Sequence, residues 1–117
     1  MSKFGNELLE RVESAVDRTI QMALALPNNA AGWEIGRQII RSSGSVGANL
    51  EESQGTLSKK DFTHKLSISL RECRETLYWI RRVENNELLP LRRLKALKKE
   101  WDEIISVMTS ILKKLRS

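Results

Sequence analysis

One cysteine, one histidine, two prolines and six glycines are spread over 117 residues. A single Cys excludes an internal disulfide framework and a multi-Cys metal site. A single His excludes most His-based zinc sites. The few Gly and Pro are too few turn residues for an all-β domain of many short strands. No apolar run approaches 18 residues, so no transmembrane helix is expected. The opening Met1-Ser2-Lys3-Phe4-Gly5-Asn6-Glu7 turns acidic at once and has no apolar leader, so no signal peptide is expected and the chain reads as cytoplasmic. Hydrophobic residues at 40% and charged residues at 30% argue against a collagen-like, low-complexity or disordered chain. The length suits a single domain spanning residues 1–117.

Helical periodicity fills nearly all of it. From about Phe4 to Leu26, the residues Phe4, Leu8, Val12, Ala15/Val16, Thr19/Ile20, Ala23 and Leu26 recur every three or four positions, the stripe of a helix with one buried face. Glu7, Glu10, Glu13 and Asp17 take the other side, and Pro27-Asn28-Asn29 ends the pattern. A second helix is predicted from about Ala31 to Gln54, with Trp33, Gly36, Ile39/Ile40, Ser43, Val46/Gly47 and Leu50 on one face. Gly36, Gly44 and Gly47 lie inside it, each costing about 1 kcal/mol against Ala. Two readings follow: a break near Gly44, or a close-approach surface made of Ser42, Ser43, Gly44, Ser45, Gly47 and Ala48. The second is preferred. Ser58-Lys59-Lys60-Asp61 then fits a capping-box variant that starts a third helix, with Phe62, Leu66, Ser69/Leu70, Cys73, Leu77, Ile80 and Val83/Glu84 as its stripe. It ends near Asn85-Asn86, where Asn tolerates the left-handed conformation that closes helices. The fourth begins around Pro90 and carries Leu91, Leu94, Trp101, Ile104/Ile105, Met108, Ile111/Leu112 and Leu115. Short connections force antiparallel neighbours, so the expected fold is an all-α, up-down-up-down four-helix bundle.

The charge divides by half. Residues 1–57 hold five basic and seven acidic side chains, and residues 58–117 hold fifteen basic and eight acidic ones. The second half thus carries the whole net excess of +5. Arg71, Arg74, Arg81 and Arg82 fall on the third helix, Arg92, Arg93, Lys95, Lys98 and Lys99 at the start of the fourth, and Lys113, Lys114 and Arg116 at the end. The bland reading of such runs is a solvated helix face. Cations at a helix start, however, oppose the helix dipole, which favours a binding role for that cluster. Lys and Arg take phosphate without sequence preference.

Other chemistry is thin. His64 stands apart from other catalytic residue types and reads as a surface residue. Cys73 falls on the apolar stripe and reads as a small core residue, since reactive thiols need an exposed electropositive setting. Ser42-Ser43-Gly44-Ser45-Val46-Gly47 lacks the spacing and preceding strand of a phosphate loop. Di-metal bundles need paired Glu-x-x-His motifs; Asp61 before His64 is a single such spacing and cannot build a pair. No metal and no cofactor are expected. Glu34, Arg37, Arg41, Asn49 and Glu52 on the second helix, with Ser69 and Glu72 on the third, read as pairs across helices that set register. The alternative is that Arg37 and Arg41 project outward and add to a basic groove. Tyr78 and Trp79 are adjacent and cannot both face one seam, so one lies at a subunit interface or on a stacking surface, the interface being preferred.

Three motifs in order carry a family resemblance. Gln38-Ile39-Ile40-Arg41-Ser42-Ser43-Gly44-Ser45-Val46-Gly47-Ala48-Asn49-Leu50-Glu51-Glu52-Ser53 resembles the pattern Q-I-R-R-A-A-x-S-I-x-x-N-I-A-E-G. Gly55-Thr56-Leu57-Ser58-Lys59-Lys60-Asp61-Phe62 resembles G-x-x-S-x-x-D-F, and Ser69-Leu70-Arg71-Glu72 resembles S-L-x-E. Together they look like the four-helix-bundle proteins encoded in intervening sequences of bacterial 23S ribosomal RNA genes. The accessory variability protein of diversity-generating retroelements is a more distant relative. Glu51-Glu52-Ser53 replaces the family's Ala-Glu-Gly, and Ile40 stands where the first of two Arg is usual. The resemblance implies a bundle that assembles as a ring-like homopentamer and has no catalytic activity. The retroelement relative is a basic ring that binds nucleic acid and a reverse transcriptase.

The combined expectation is a non-enzymatic homo-oligomer, without membrane attachment, that binds nucleic acid, RNA foremost. Phosphate contacts are assigned to Arg71, Arg74, Arg82, Arg92, Arg93, Lys95, Lys98, Lys99, Lys113 and Lys114. Five copies in a ring would present about +25 to a polyanion. The competing expectation is a scaffold that docks an acidic partner or a polymerase, with the charge serving solubility.

Overall fold

The computed structural model describes residues 3–117, with side chains from Asn6 onward; Phe4, expected on the first apolar stripe, lies outside the described side chains. Four helices follow one another: α1 (Lys3–Leu24), α2 (Ala30–Ser53), α3 (Lys59–Asn85) and α4 (Lys95–Arg116), with a single 3-10 turn at Leu91–Arg93 before α4. The fold is all-α, and the described residues contain no strand. Each helix packs on its neighbour in sequence and α4 closes against α1, so α1 and α3 occupy diagonal corners. The bundle measures 45 × 21 × 20 Å. Its longest helix, at 1.5 Å per residue, spans about 40 Å of that length.

The helix starts have local causes. Asn29 caps α2, its Oδ1 accepting from Gly32 N at 2.9 Å. Ser58 caps α3 as its motif predicts, its Oγ accepting from Asp61 N at 3.1 Å. The end of α3 differs from expectation. Asn86 keeps a negative φ, and the left-handed residue is Glu87, at φ 53°. Leu88 N then reaches back to Val83 O at 3.0 Å. The start of α4 also shifts, from Pro90 to Lys95, because Arg93 N and Leu94 N bond three residues back, to Pro90 O and Leu91 O, rather than opening an α-turn.

The core follows the stripes. Leu8, Val12, Ala15, Val16 and Ala23 of α1 meet Ile39, Val46 and Leu50 of α2. Leu66, Cys73, Leu77, Ile80 and Val83 of α3 meet Leu97, Trp101, Ile104, Met108 and Leu112 of α4. The buried hydroxyls and the Trp101 indole are paired. Trp101 Nε1 donates to Thr19 Oγ1 at 2.9 Å, and Thr19 donates in turn to Ala15 O at 2.7 Å. Ser42 Oγ and Thr76 Oγ1 bond across α2 and α3 at 2.8 Å, and Ser69 Oγ donates to Val46 O at 2.9 Å.

Three stripe residues are placed differently. Trp33 is 61% exposed, Ile40 41% and Leu91 52%. Trp33 sits in the first turn of α2, where the chain returning through Pro27 fills the inner side, and its Nε1 bonds Asn28 Oδ1 at 2.7 Å. Ile40 lies about 100° round the helix from the fully buried Ile39. Leu91 belongs to the 3-10 turn rather than to α4.

α2 runs unbroken through Gly44. The small-residue surface is narrower than expected. Ser42 and Ser43 are buried and Gly47 faces Val16, but Gly44 faces open space and Ala48 is exposed. The close approach is instead at Gly32, where a Cβ would stand 1.9 Å from Pro27 O.

Candidate nucleic-acid interface

Ion pairs decide which cations remain to meet a ligand. Arg11 of α1 grips α4, donating from Nε to Glu100 Oε2 at 2.7 Å and from Nη2 to Glu100 Oε1 at 2.9 Å, with Glu103 at 3.2 Å. These hydrogen bonds hold the Glu100 carboxyl below the usual carboxylate range, against the opposing effect of its burial. Arg41 of α2 reaches Glu72 at 3.2 Å and also Glu75 on α3, and Lys65 joins Glu52 at 2.7 Å. Lys98 of α4 pairs with Glu84 of α3. Arg41 thus pairs across helices, as do Glu52, Ser69 and Glu72. Asn49 and Glu34 do not: Asn49 Nδ2 bonds Ser45 one turn back, and Glu34 accepts from Gln38 within α2. Arg37 is exposed.

Three of the four acids of α3 are therefore drawn to its flanks, Glu72 and Glu75 toward α2 and Glu84 toward α4, while Asp61 stays exposed in its first turn. Its outward line consists of Lys60, His64, Ser67, Arg71, Arg74, Tyr78, Arg81 and Asn85, at helical spacing and without a carboxylate. Cys73 Sγ lies 3.7 Å from Met108 Sδ. With the Lys98–Glu84 pair, this fixes α4 antiparallel beside that line. Lys95, Lys99 and Lys113 are exposed on α4 and continue the surface, with Asp102 among them.

Of the ten residues assigned from sequence, six share this face: Arg71, Arg74, Arg82, Lys95, Lys99 and Lys113. Lys98 is half-buried in its pair with Glu84. Arg92 and Arg93 are exposed on the 3-10 turn at one end, and Arg93 borders a groove with Asp17 and Arg18 of α1. Lys114 turns to the other flank, beside Ser110, Ile111 and Val107. Arg81, which is not among the ten, also belongs to the face. Its exposure one turn from Tyr78 follows from i+3 spacing alone.

Arg82 is held differently from the rest. Its guanidinium carbon stands 4.9 Å from the Tyr78 ring centroid, and its Nε is buried without a hydrogen-bond partner among the described residues. Tyr78 and Trp79 separate as adjacency requires. Trp79 packs at the core edge, its Nε1 donating to Glu75 Oε2 at 3.0 Å, while Tyr78 stays 48% exposed.

Two further candidates stand apart from this face's cations. His64 is exposed. Cys73 is fully buried, and burial pushes its thiol well up. Among the described residues, no group of three or more His, Cys, Asp or Glu could hold a metal ion. No helix there is long and apolar enough to cross a membrane. A second surface feature is an open groove of about 580 Å³ at the α1–α2 turn, with Leu24, Trp33, Gly36 and Ile40 in its wall.

The fold and the face together define a small antiparallel four-helix bundle with one basic long side. Residues 6–110 match the family described as 23S rRNA-intervening sequence protein, and the chain belongs to that family. It is similar in structure to a protein of unknown function from the S23 ribosomal protein family of Bacteroides thetaiotaomicron VPI-5482. The sequence identity is 28% and the TM-score 0.85, over 93% of this chain and 97% of that one. No curated protein matches the sequence.

Proposed function

We propose that this protein is a non-catalytic, homo-oligomeric bundle of the cytoplasm that binds nucleic acid, RNA foremost, through the α3–α4 face. One observation carries the reading: beyond the first turn of α3, where Asp61 is exposed, the outward line meets no free carboxylate, because Glu72, Glu75 and Glu84 are tied to flanking helices by Arg41 or Lys98. A merely solvated face would keep both signs interspersed. Here Arg71, Arg74, Arg81, Lys95, Lys99 and Lys113 remain exposed with one acid, Asp102, among them. Such a surface contacts phosphates and releases counterions. The family's name, which refers to ribosomal RNA genes, agrees with RNA as the polyanion.

Self-association multiplies the field. The exposed Leu24, Trp33 and Ile40 cluster away from the basic face and support a contact between copies, with a ring of five as the expected assembly. The same apolar cluster favours the second reading, a scaffold that docks another protein.

The test is a salt titration of RNA binding for the wild type and for a variant with Arg71, Arg74, Lys95 and Lys99 replaced by Gln. For a single strand each lost phosphate contact removes about 0.7 from the slope of log K against log salt, so the variant should lose about 3. An unchanged slope would transfer the function to the scaffold reading.

A further inference from the structure

We infer that Tyr78 is a stacking platform for an unpaired nucleobase, so that the ligand of the basic face is a single-stranded or looped stretch of RNA rather than a continuous duplex. This rests on the nucleic-acid reading above and narrows its ligand.

The geometry of the ring carries the inference. Tyr78 is 48% exposed and stands between Arg74 and Arg81 on the outward line of α3. It is braced rather than loose. The Trp79 ring meets it edge to face, with centroids 5.0 Å apart and planes at 79°. Trp79 is anchored through its Nε1 to Glu75 Oε2 at 3.0 Å, and Glu75 is held by Arg41 of the neighbouring helix. Arg82 lies over one face of the Tyr78 ring, its guanidinium carbon 4.9 Å from the centroid. That guanidinium has no carboxylate partner among the described residues, and its Nε has no hydrogen bond. Its charge is held in place by the ring and left unneutralised.

Three of the four helical neighbours of this ring are cations, and the fourth, Glu75, is held by Arg41. Arg74 is one turn before Tyr78, Arg81 and Arg82 one turn after, and Arg71 two turns before. Residues three and four apart on a helix have Cβ atoms about 5–6 Å apart. An aromatic ring ringed by arginines offers a base a flat apolar surface and its flanking phosphates direct partners. A duplex uses only the second of these, because its bases are already stacked and its major groove is closed to side chains. An unpaired base uses both, by stacking on the ring and on the guanidinium plane. A face meant for duplex backbone alone has no use for a half-exposed, braced aromatic among its arginines.

The experiment compares a single-stranded RNA of about 12 nucleotides carrying 2-aminopurine with a blunt RNA duplex of equal phosphate number, at matched salt. Wild type, Tyr78→Phe and Tyr78→Ala are measured, with circular dichroism confirming the helical fold of each. The expected result is that the wild type binds the single strand more tightly and quenches the 2-aminopurine. Tyr78→Phe should behave like the wild type. Tyr78→Ala should lose about 5- to 100-fold in single-strand affinity together with the quenching, and keep its duplex affinity. If neither RNA binds the wild type, the nucleic-acid reading itself falls, and this inference with it. If both bind and Tyr78→Ala weakens neither or both equally, the phosphate-reading face stands and the stacking platform is overturned.

Discussion

Gly32 and Gly44 lie in the same helix and should respond to alanine with opposite sign. A Cβ at Gly32 would stand 1.9 Å from the Pro27 carbonyl oxygen, a backbone atom fixed by the turn it closes. Gly32→Ala should therefore cost about 1–3 kcal/mol, as overpacking does. A Cβ at Gly44 meets nothing within 4 Å, so Gly44→Ala should stabilise by about 1 kcal/mol through helix propensity. Denaturant unfolding of the two variants beside the wild type measures both. The sequence marks both residues as glycine but not which of them is needed, because the need at Gly32 comes from a carbonyl across a turn. Trp33 was illegible for the same reason. Its spacing puts it near the core stripe, yet Leu26 and Gly32 take up the inner side of the turn and leave the indole over Asn28.

Between helices, what was legible depended on sequence distance. The Ser58 cap could be read because donor and acceptor are three residues apart. The Arg11–Glu100 clamp could not, because its partners are 89 positions apart and no local pattern joins them. That clamp links the first helix to the last and makes a prediction about acid. Hydrogen bonds from Arg11 lower the Glu100 pKa in the folded state. A depressed carboxylate contributes stability that is fully present above its unfolded value of about 4.3 and is lost as pH falls through the folded value. Glu100→Gln should therefore be less stable than the wild type at neutral pH. The gap should close as the solution is acidified below about pH 4, which thermal melts across a pH series would follow.

At the scale of the molecule, charge was legible by amount and not by place. The excess in residues 58–117 can be counted from the sequence, but the acid-free line depends on Arg41 and Lys98 drawing α3 carboxylates aside, which needs the packing of α2 and α4. Glu10, Glu13 and Asp17 are exposed on α1, at the corner diagonal to α3. Replacing these three with Gln leaves the basic face untouched and raises the net charge from +5 to +8. RNA should then associate severalfold faster at low ionic strength, with the difference vanishing as salt shortens the screening length. Stopped-flow association rates over a salt series would report it.

The diagonal placement of α1 and α3 also fixes how the protein arrives. With exposed acids on α1 and exposed arginines along α3, the two signs are separated across the 21 × 20 Å section. A polyanion lying alongside the bundle therefore exerts a torque that turns it about its long axis. The arginine edge turns toward the strand before contact, with its whole length available to lie along it.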